Sequence, residues 1–344
     1  MNNQEILDIL KGFKYPNLDK NIIDLALLDK LESKDKVLNI YLKLTNVQVF
    51  ELLSVEIKKS PKLQSAFKEI HVFNTISSPK KSINYGSTAT PNNRAPYAKN
   101  IIAISSGKGG VGKSTVAANL AVSLAQEGFS VGILDADVYG PNIPRLFGVE
   151  NESLRWNEND KIIPSFNYGV KIMSVGLTTP RADTPLVWRS SVAVSALIQF
   201  LEDVDWGELD YLVIDMPPGT GDVQLTMAQE LHLNCAILVT TPQASSIDDV
   251  SRAIVMFQEV GVKVCGLIEN MSYFIAPDTN KRYDIFGTNM GENLSLKYNI
   301  EFLGQIPLSI DIREHCDMGK PPVTLKNSAI KEYYKSIVAK IVNS

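Results

Sequence analysis

One stretch fixes most of what this chain can become: Gly107-Lys108-Gly109-Gly110-Val111-Gly112-Lys113-Ser114-Thr115. Glycine, four residues, then Gly-Lys-Ser is the spacing of a phosphate-binding loop. The run before it, Asn100-Ile101-Ile102-Ala103-Ile104-Ser105, is apolar enough for a short buried strand. After it, Val116, Leu120, Ala121 and Leu124 return at helical spacing, and Gly128 stands where a helix would stop. Strand, loop and helix are the context that turns such a motif into a site. Glycines let the backbone curl so that its N–H groups converge on an anion, and the helix N-terminus adds partial positive charge. In that geometry Lys113 reaches the β- and γ-phosphates and the Ser114 hydroxyl ligates Mg²⁺. The loop predicts a nucleotide site, read as ATP with Mg²⁺.

The rest of the chain sets limits on partners and compartment. Its 344 residues suffice for one large domain and a small one. A formal net charge of −4 gives no bulk attraction to nucleic acid or to an anionic membrane, and neither is expected as a partner. No run of eighteen apolar residues occurs, and Met1-Asn2-Asn3-Gln4-Glu5 does not open a signal peptide. Cys235, Cys265 and Cys316 are odd in number and widely spaced. That is no disulfide framework, so a reducing cytoplasm is the expectation.

Three regions are expected. Residues 1–75 read as a small α/β domain: Ile6, Leu7, Ile9 and Leu10 are helical in spacing, 36–44 alternates as a strand, 48–58 suits a helix and 70–73 a closing strand. Residues 76–98 shift to Ser, Pro, Lys, Asn and Gly without periodicity, a flexible linker. From 99 to 344 strand-like runs alternate with helices, which predicts a doubly wound, mostly parallel sheet of the P-loop NTPase kind. Residues 131–135, 211–215, 235–240 and 262–268 are the strand candidates. Residues 226–231 and 247–260 are helix candidates, the second led by Ser245 and Ser246 as capping residues.

Ligands bind beyond the carboxyl ends of such strands, where Asp135, Asp137, Asp215 and Asn270 all fall. Asp215 ends an apolar strand and suits the second acid of a phosphate-loop NTPase, orienting Mg²⁺ and its waters. Gly219, in Pro217-Pro218-Gly219-Thr220-Gly221-Asp222, is placed for its N–H to sense the γ-phosphate. Asp137 is the candidate for positioning the attacking water or binding metal, with Asp135 as the alternative. Asn270 carries the donor and acceptor that adenine's amino edge requires, or forms a turn.

Lys108 is a second lysine that a general phosphate loop does not need. With it, Lys-Gly-Gly-Val-Gly-Lys-Ser-Thr resembles the deviant loop of MinD/ParA-type ATPases, which implies a dimer closed around ATP with Lys108 reaching the partner's nucleotide. The runs Asp135 to Pro144, Asp215 to Leu225, Val187-Trp188-Arg189 and Glu269-Asn270-Met271-Ser272-Tyr273-Phe274 resemble the Mrp/ApbC iron–sulfur cluster carriers from about Asn100 to the C-terminus. The resemblance implies an ATPase that binds and transfers clusters to apoproteins or assembly factors. Residues 1–75 are similar, more weakly, to a small domain found in iron–sulfur assembly factors. Two subunits of that family would bridge a [4Fe–4S] cluster through a Cys-x-x-Cys pair each. Here the corresponding place reads Ile275-Ala276-Pro277-Asp278-Thr279-Asn280, without cysteine, and Leu44-Thr45-Asn46-Val47 lacks one too. Cys235 and Cys265 fall in apolar strands as inert core residues, whereas Cys316, beside His315, is expected to be exposed. It is either a plain loop cysteine or a cluster ligand. The alternative function is an ATP-gated dimeric switch or scaffold that holds no cluster; a metabolic kinase would leave Lys108 idle. The terminal stretch, with Ile330, Tyr333, Tyr334, Ile337, Val338 and Ile341 on one face, suits packing on the sheet better than a membrane. Residues 187–201, with Trp188, Arg189 and Phe200, suit core packing or a subunit contact equally.

Overall fold

Apolar alternation builds the smaller of two compact units, Met1–Thr88 and Ala89–Ser344. A computed structural model describes all residues except 1–2, 16–19, 26, 35, 45–46, 75–92, 179–189, 326–327 and 344. The first unit runs α1 (Asn3–Leu10), β1 (Leu28–Lys34), β2 (Val37–Leu42), α2 (Val47–Lys58), α3 (Pro61–Ala66) and β3 (Glu69–Asn74). Leu38, Ile40 and Leu42, every second residue of β2, turn to one face and meet Ile6, Leu10, Leu53 and Ile57 of the helices. β2 pairs antiparallel with β1 and parallel with β3. The expected strands and helix appear with their ends moved by a residue or two. β1 was not expected, because Leu-Asp-Lys-Leu-Glu-Ser-Lys shows no apolar alternation and takes its order from β2. Thr45 and Asn46 lie outside the described residues.

The second unit continues with β4 (Ala98–Ser106), α4 (Lys113–Gln126), β5 (Val131–Asp135), α5 (Ile143–Leu146), β6 (Arg155–Trp156), β7 (Ile162–Ile163), β8 (Ser165–Asn167) and β9 (Val170–Ser174). Next come α6 (Ser190–Asp203), β10 (Leu209–Asp215), α7 (Asp222–Glu230), β11 (Cys235–Thr240), α8 (Ala244–Glu259), β12 (Val264–Ile275) and β13 (Arg282–Tyr283). The chain closes with α9 (Met290–Tyr298), β14 (Phe302–Leu308), α10 (Ile310–Asp317) and α11 (Ala329–Val342). The main sheet runs β13-β12-β11-β4-β10-β5-β9-β8, with β14 also on β12. Its members are parallel except the edge strands β13 and β8. Ile102 and Ile104 of β4 face the core under α4 and α11, while Ile101 and Ala103 face the core under α6, α7 and α8. Both faces are covered, as a parallel sheet requires.

Four expectations are corrected or narrowed here. The linker gives way before Ala98: Ala95 is buried, the Tyr97 hydroxyl donates to Leu201 O at 2.9 Å, and Arg94 pairs with Glu202 at 2.6 Å. α8 begins earlier than expected, with Gln243 as its N-cap. Ser246 does not cap; its hydroxyl meets the Thr240 hydroxyl at 2.9 Å inside the fold. α11 spends its apolar face on the core, burying Ile330, Tyr334, Ile337, Val338 and Ile341. In the 187–201 stretch Leu197, Phe200 and Leu201 pack in the core, while Trp188 and Arg189 lie outside the described residues. No helix among the described residues is long and apolar enough to cross a membrane.

Candidate nucleotide site

β4 delivers the chain to the loop and α4 carries it away, starting at Lys113. Two glycines are dictated by neighbours. A Cβ on Gly107 would lie 2.1 Å from the carbonyl carbon of Asp249 in α8, and backbone cannot yield there. Gly112 holds φ +84°, and its Cβ would meet Asn270 Nδ2 at 2.2 Å. Gly107→Ala is therefore expected to destabilise the unit by roughly 1–3 kcal/mol and weaken nucleotide binding, read from the urea midpoint and a nucleotide titration. An unchanged midpoint would show that α8 can move aside.

Lys113 is 6% exposed, and its ammonium donates to Asp215 Oδ1 at 2.7 Å, with Asp137 Oδ2 at 3.8 Å and Ser114 Oγ at 3.4 Å. Asp215 is fully buried, and its Oδ2 has no hydrogen-bond partner among the described residues. Register places Asp215 directly beside Asp135 across the β10–β5 pair. Asp135 is also fully buried, and its oxygens accept the Asp137 N–H at 3.2 Å, the Ile143 N–H at 3.1 Å and the Ser174 hydroxyl at 3.0 Å. Burial, then the neighbouring Asp215 charge, raises the Asp135 carboxyl to about 8. Asp137 is half-buried; burial raises it as well, against the pull of Lys113. The two acids that sequence left open thus differ in kind. Asp135 shapes the loop from 136 to 143, and Asp137 faces the cleft.

That cleft has a volume of about 360 Å³ and is lined by the loop residues from Lys108 to Thr115 other than Val111, together with Ser106, Asp137, Asn142, Arg145, Leu146, Pro218, Cys316 and Asp317. Asn142 and Arg145 were not singled out, although both stand in the Gly-Pro-Asn-Ile-Pro-Arg run after β5. Three expected contacts are engaged locally. The Lys108 ammonium donates to Ser245 Oγ at 2.9 Å, the Gly219 N–H donates to Ser106 O at 2.9 Å, and Asn270 Nδ2 donates to Val111 O at 2.9 Å. Asn270 is buried and braces the loop from behind.

Two of the three cysteines depart from expectation. Cys316 lies in helix α10, not a loop, and is 8% exposed. Burial pushes its thiol up to about 11, against hydrogen bonds with Thr115 and Asn119. Apolar neighbours on α4 and α11 explain why it points inward. Cys235 is buried as expected, but Cys265 is only half-buried. β12 runs five residues past Asn270 and turns back into β13, closed by Ala276 N–H to Lys281 O at 3.0 Å and Asn280 N–H to Ala276 O at 2.8 Å. Arg282 lies over the Tyr273 ring at 4.0 Å. Among the described residues no group of three or more His, Cys, Asp or Glu could hold a metal ion.

The chain is 39% identical over 349 residues to the iron–sulfur cluster carrier protein of Synechocystis, covering 98% of this chain and 97% of that one. It is 50% identical over 230 residues to the iron–sulfur cluster carrier protein of Aquifex aeolicus, covering 67% of this chain and 63% of that one. A solved nucleotide-binding protein from Archaeoglobus fulgidus in complex with ADP aligns with a TM-score of 0.60 at 39% identity, covering 68% of this chain and 92% of that one. The family model described as ParA, NUBPL iron-transfer P-loop NTPase, matches residues 97–342. The chain belongs to that family of iron-transfer P-loop NTPases.

Proposed function

We propose that this chain binds Mg·ATP, hydrolyses it slowly across a homodimer, and carries iron–sulfur clusters to apoproteins under control of the nucleotide. The observation that carries the ATPase half is the buried Lys113–Asp215 pair with Asp137 at its open side. Asp215 Oδ2, buried and unpartnered among the described residues, and the Ser114 hydroxyl are hard oxygen donors of the kind Mg²⁺ accepts alongside its own waters. Bound there, Mg²⁺ supplies charge neutralisation at the phosphates. Lys113 leaves Asp215 for the phosphate oxygens, and the loop N–H groups hold the remaining charge. Asp137 orients the attacking water and accepts its proton. Gly219 reaches the γ-phosphate once its bond to Ser106 opens, and Asn270 reads the base with its remaining amide capacity while bracing Val111. Lys108, released from Ser245, acts on the partner subunit's nucleotide.

Removing Lys108 tests the dimeric chemistry. Lys108→Ala is expected to keep ATP affinity while slowing hydrolysis roughly 10²-fold, the usual scale for one lost transition-state contact. Unchanged turnover would end its role in trans.

The carrier half is supported by relatives of 39–50% identity named as cluster carriers. The thiol-free 276–281 turn and the buried Cys316 favour a second reading, an ATP-gated scaffold whose partners hold the cluster. An anaerobic transfer assay separates the two. A cluster-loaded donor and an apo-acceptor are mixed with the full chain, with and without Mg·ATP. Acceleration by wild type with iron bound to the chain in transit supports the carrier. Acceleration without chain-bound iron supports the scaffold, and none at all overturns both.

A further inference from the structure

β11 begins at Cys235, and β12 carries Cys265 as its second residue. The strands are parallel, with Ala236 opposite Val264 and then Ile237 opposite Gly266. Cys265 therefore sits at a register shift, an extra residue on β12 with no opposite number. Cys235 shares its face with Ile237 and Val239, and Cys265 packs against the same cluster. The two side chains thus lie on one side of the sheet, on neighbouring strands. Cys235 is 6% exposed, whereas Cys265 is only partly buried.

This placement divides the pair into two roles. Interaction with the Cys235 thiol, helped by the Lys263 charge, holds Cys265 down to about 7 against burial and Glu301. The same contact, with burial, pushes the Cys235 thiol up. A partly accessible thiolate backed by a shielded thiol is the arrangement in which one sulfur attacks and the other resolves. Zinc and iron–sulfur sites take four ligands, and no third His, Cys, Asp or Glu completes a cluster here among the described residues. The pair has no part in the nucleotide chemistry above.

We propose that Cys235 and Cys265 are a thiol–disulfide exchange site that closes to a reversible cross-strand disulfide at the expense of a low-molecular-weight disulfide. The Cys265 thiolate attacks one sulfur of that disulfide and expels a thiolate, leaving a mixed disulfide on Cys265. Cys235 loses its proton to solvent and attacks the Cys265 sulfur, expelling the second thiolate. Two electrons pass from the cysteine pair to the small molecule, whose two thiolates take up the two protons.

The test uses the full-length reduced chain incubated with oxidised glutathione, followed by intact mass and non-reducing peptide mapping. Wild type is expected to lose two hydrogens, to yield a Cys235–Cys265 linked peptide, to keep Cys316 free, and to revert with dithiothreitol. Cys235→Ala should instead accumulate a stable glutathione adduct on Cys265, and Cys265→Ala should show neither product. Three free thiols in wild type, or a persistent glutathione adduct in place of the internal bond, would overturn the proposal. The wild-type map decides the matter even if a cysteine variant folds poorly.

Discussion

Lys113→Ala is expected to leave ATP binding undetectable, a loss of roughly 10²–10³-fold or more for one buried cation facing the phosphates. The same change is expected to lower stability by about 3–5 kcal/mol, because it strands Asp215 as an uncompensated buried charge beside Asp135. Both effects spring from one side chain, so a second variant must part them. Lys113→Ala with Asp215→Asn removes the stranded charge and should recover much of the unfolding midpoint while binding stays lost. Denaturant unfolding and titration with a fluorescent ATP analogue read the two quantities separately. Wild-type affinity in the single variant would sink the assignment of the loop. Binding that returned together with stability in the double variant would mean that Lys113 serves the fold alone.

Asp137→Ala is expected to slow phosphate release by roughly 10²–10⁴-fold, the range for a lost general base, with ATP affinity changed only a few-fold. Asp135→Asn should behave differently. Its carboxylate oxygens receive donors from Asp137, Ile143 and Ser174, and an amide group offers only one acceptor oxygen. One donor left facing an NH₂ group should cost about 1–3 kcal/mol of stability. Turnover per folded molecule should survive better than in Asp137→Ala. Single-turnover hydrolysis on both purified variants checks this, and the reverse ranking would hand the catalytic role to Asp135.

The loop and its strand–helix frame were legible because the chemistry demands fixed residue types at fixed spacing: Gly107, Gly112, Lys113 and Ser114 leave little choice. Parallel strands such as β4 and β10 announced themselves as unbroken apolar runs. What stayed hidden depends on neighbours distant in sequence. Asp135 ends β5 and Asp137 follows two residues later, and only the bonds from Ile143 and Ser174 reveal which one is committed to structure. Cys316 was misplaced because His-Cys-Asp is polar locally, while the surface it meets comes from α4 and α11. The contact between Cys235 and Cys265 needs the register of β11 against β12, which a single strand's pattern does not carry. β1 is ordered by its partner rather than by its own composition.

The bonds from Lys108 to Ser245 and from Gly219 to Ser106 have a consequence for populations. In the roles proposed for Lys108 and Gly219, each withholds a group from the nucleotide, and at about 1 kcal/mol apiece the two together would favour the withheld arrangement roughly thirtyfold. Only a few molecules in a hundred would then stand ready at any moment, so turnover would be slow even in a dimer that has every catalytic group present. A binding partner that offers equivalent hydrogen bonds to Ser245 and to the Ser106 carbonyl, and so frees Lys108 and Gly219, recovers the same factor without touching the phosphates. Timing would then be set by an equilibrium between two small bonds, leaving the chemistry itself unchanged from one client to the next.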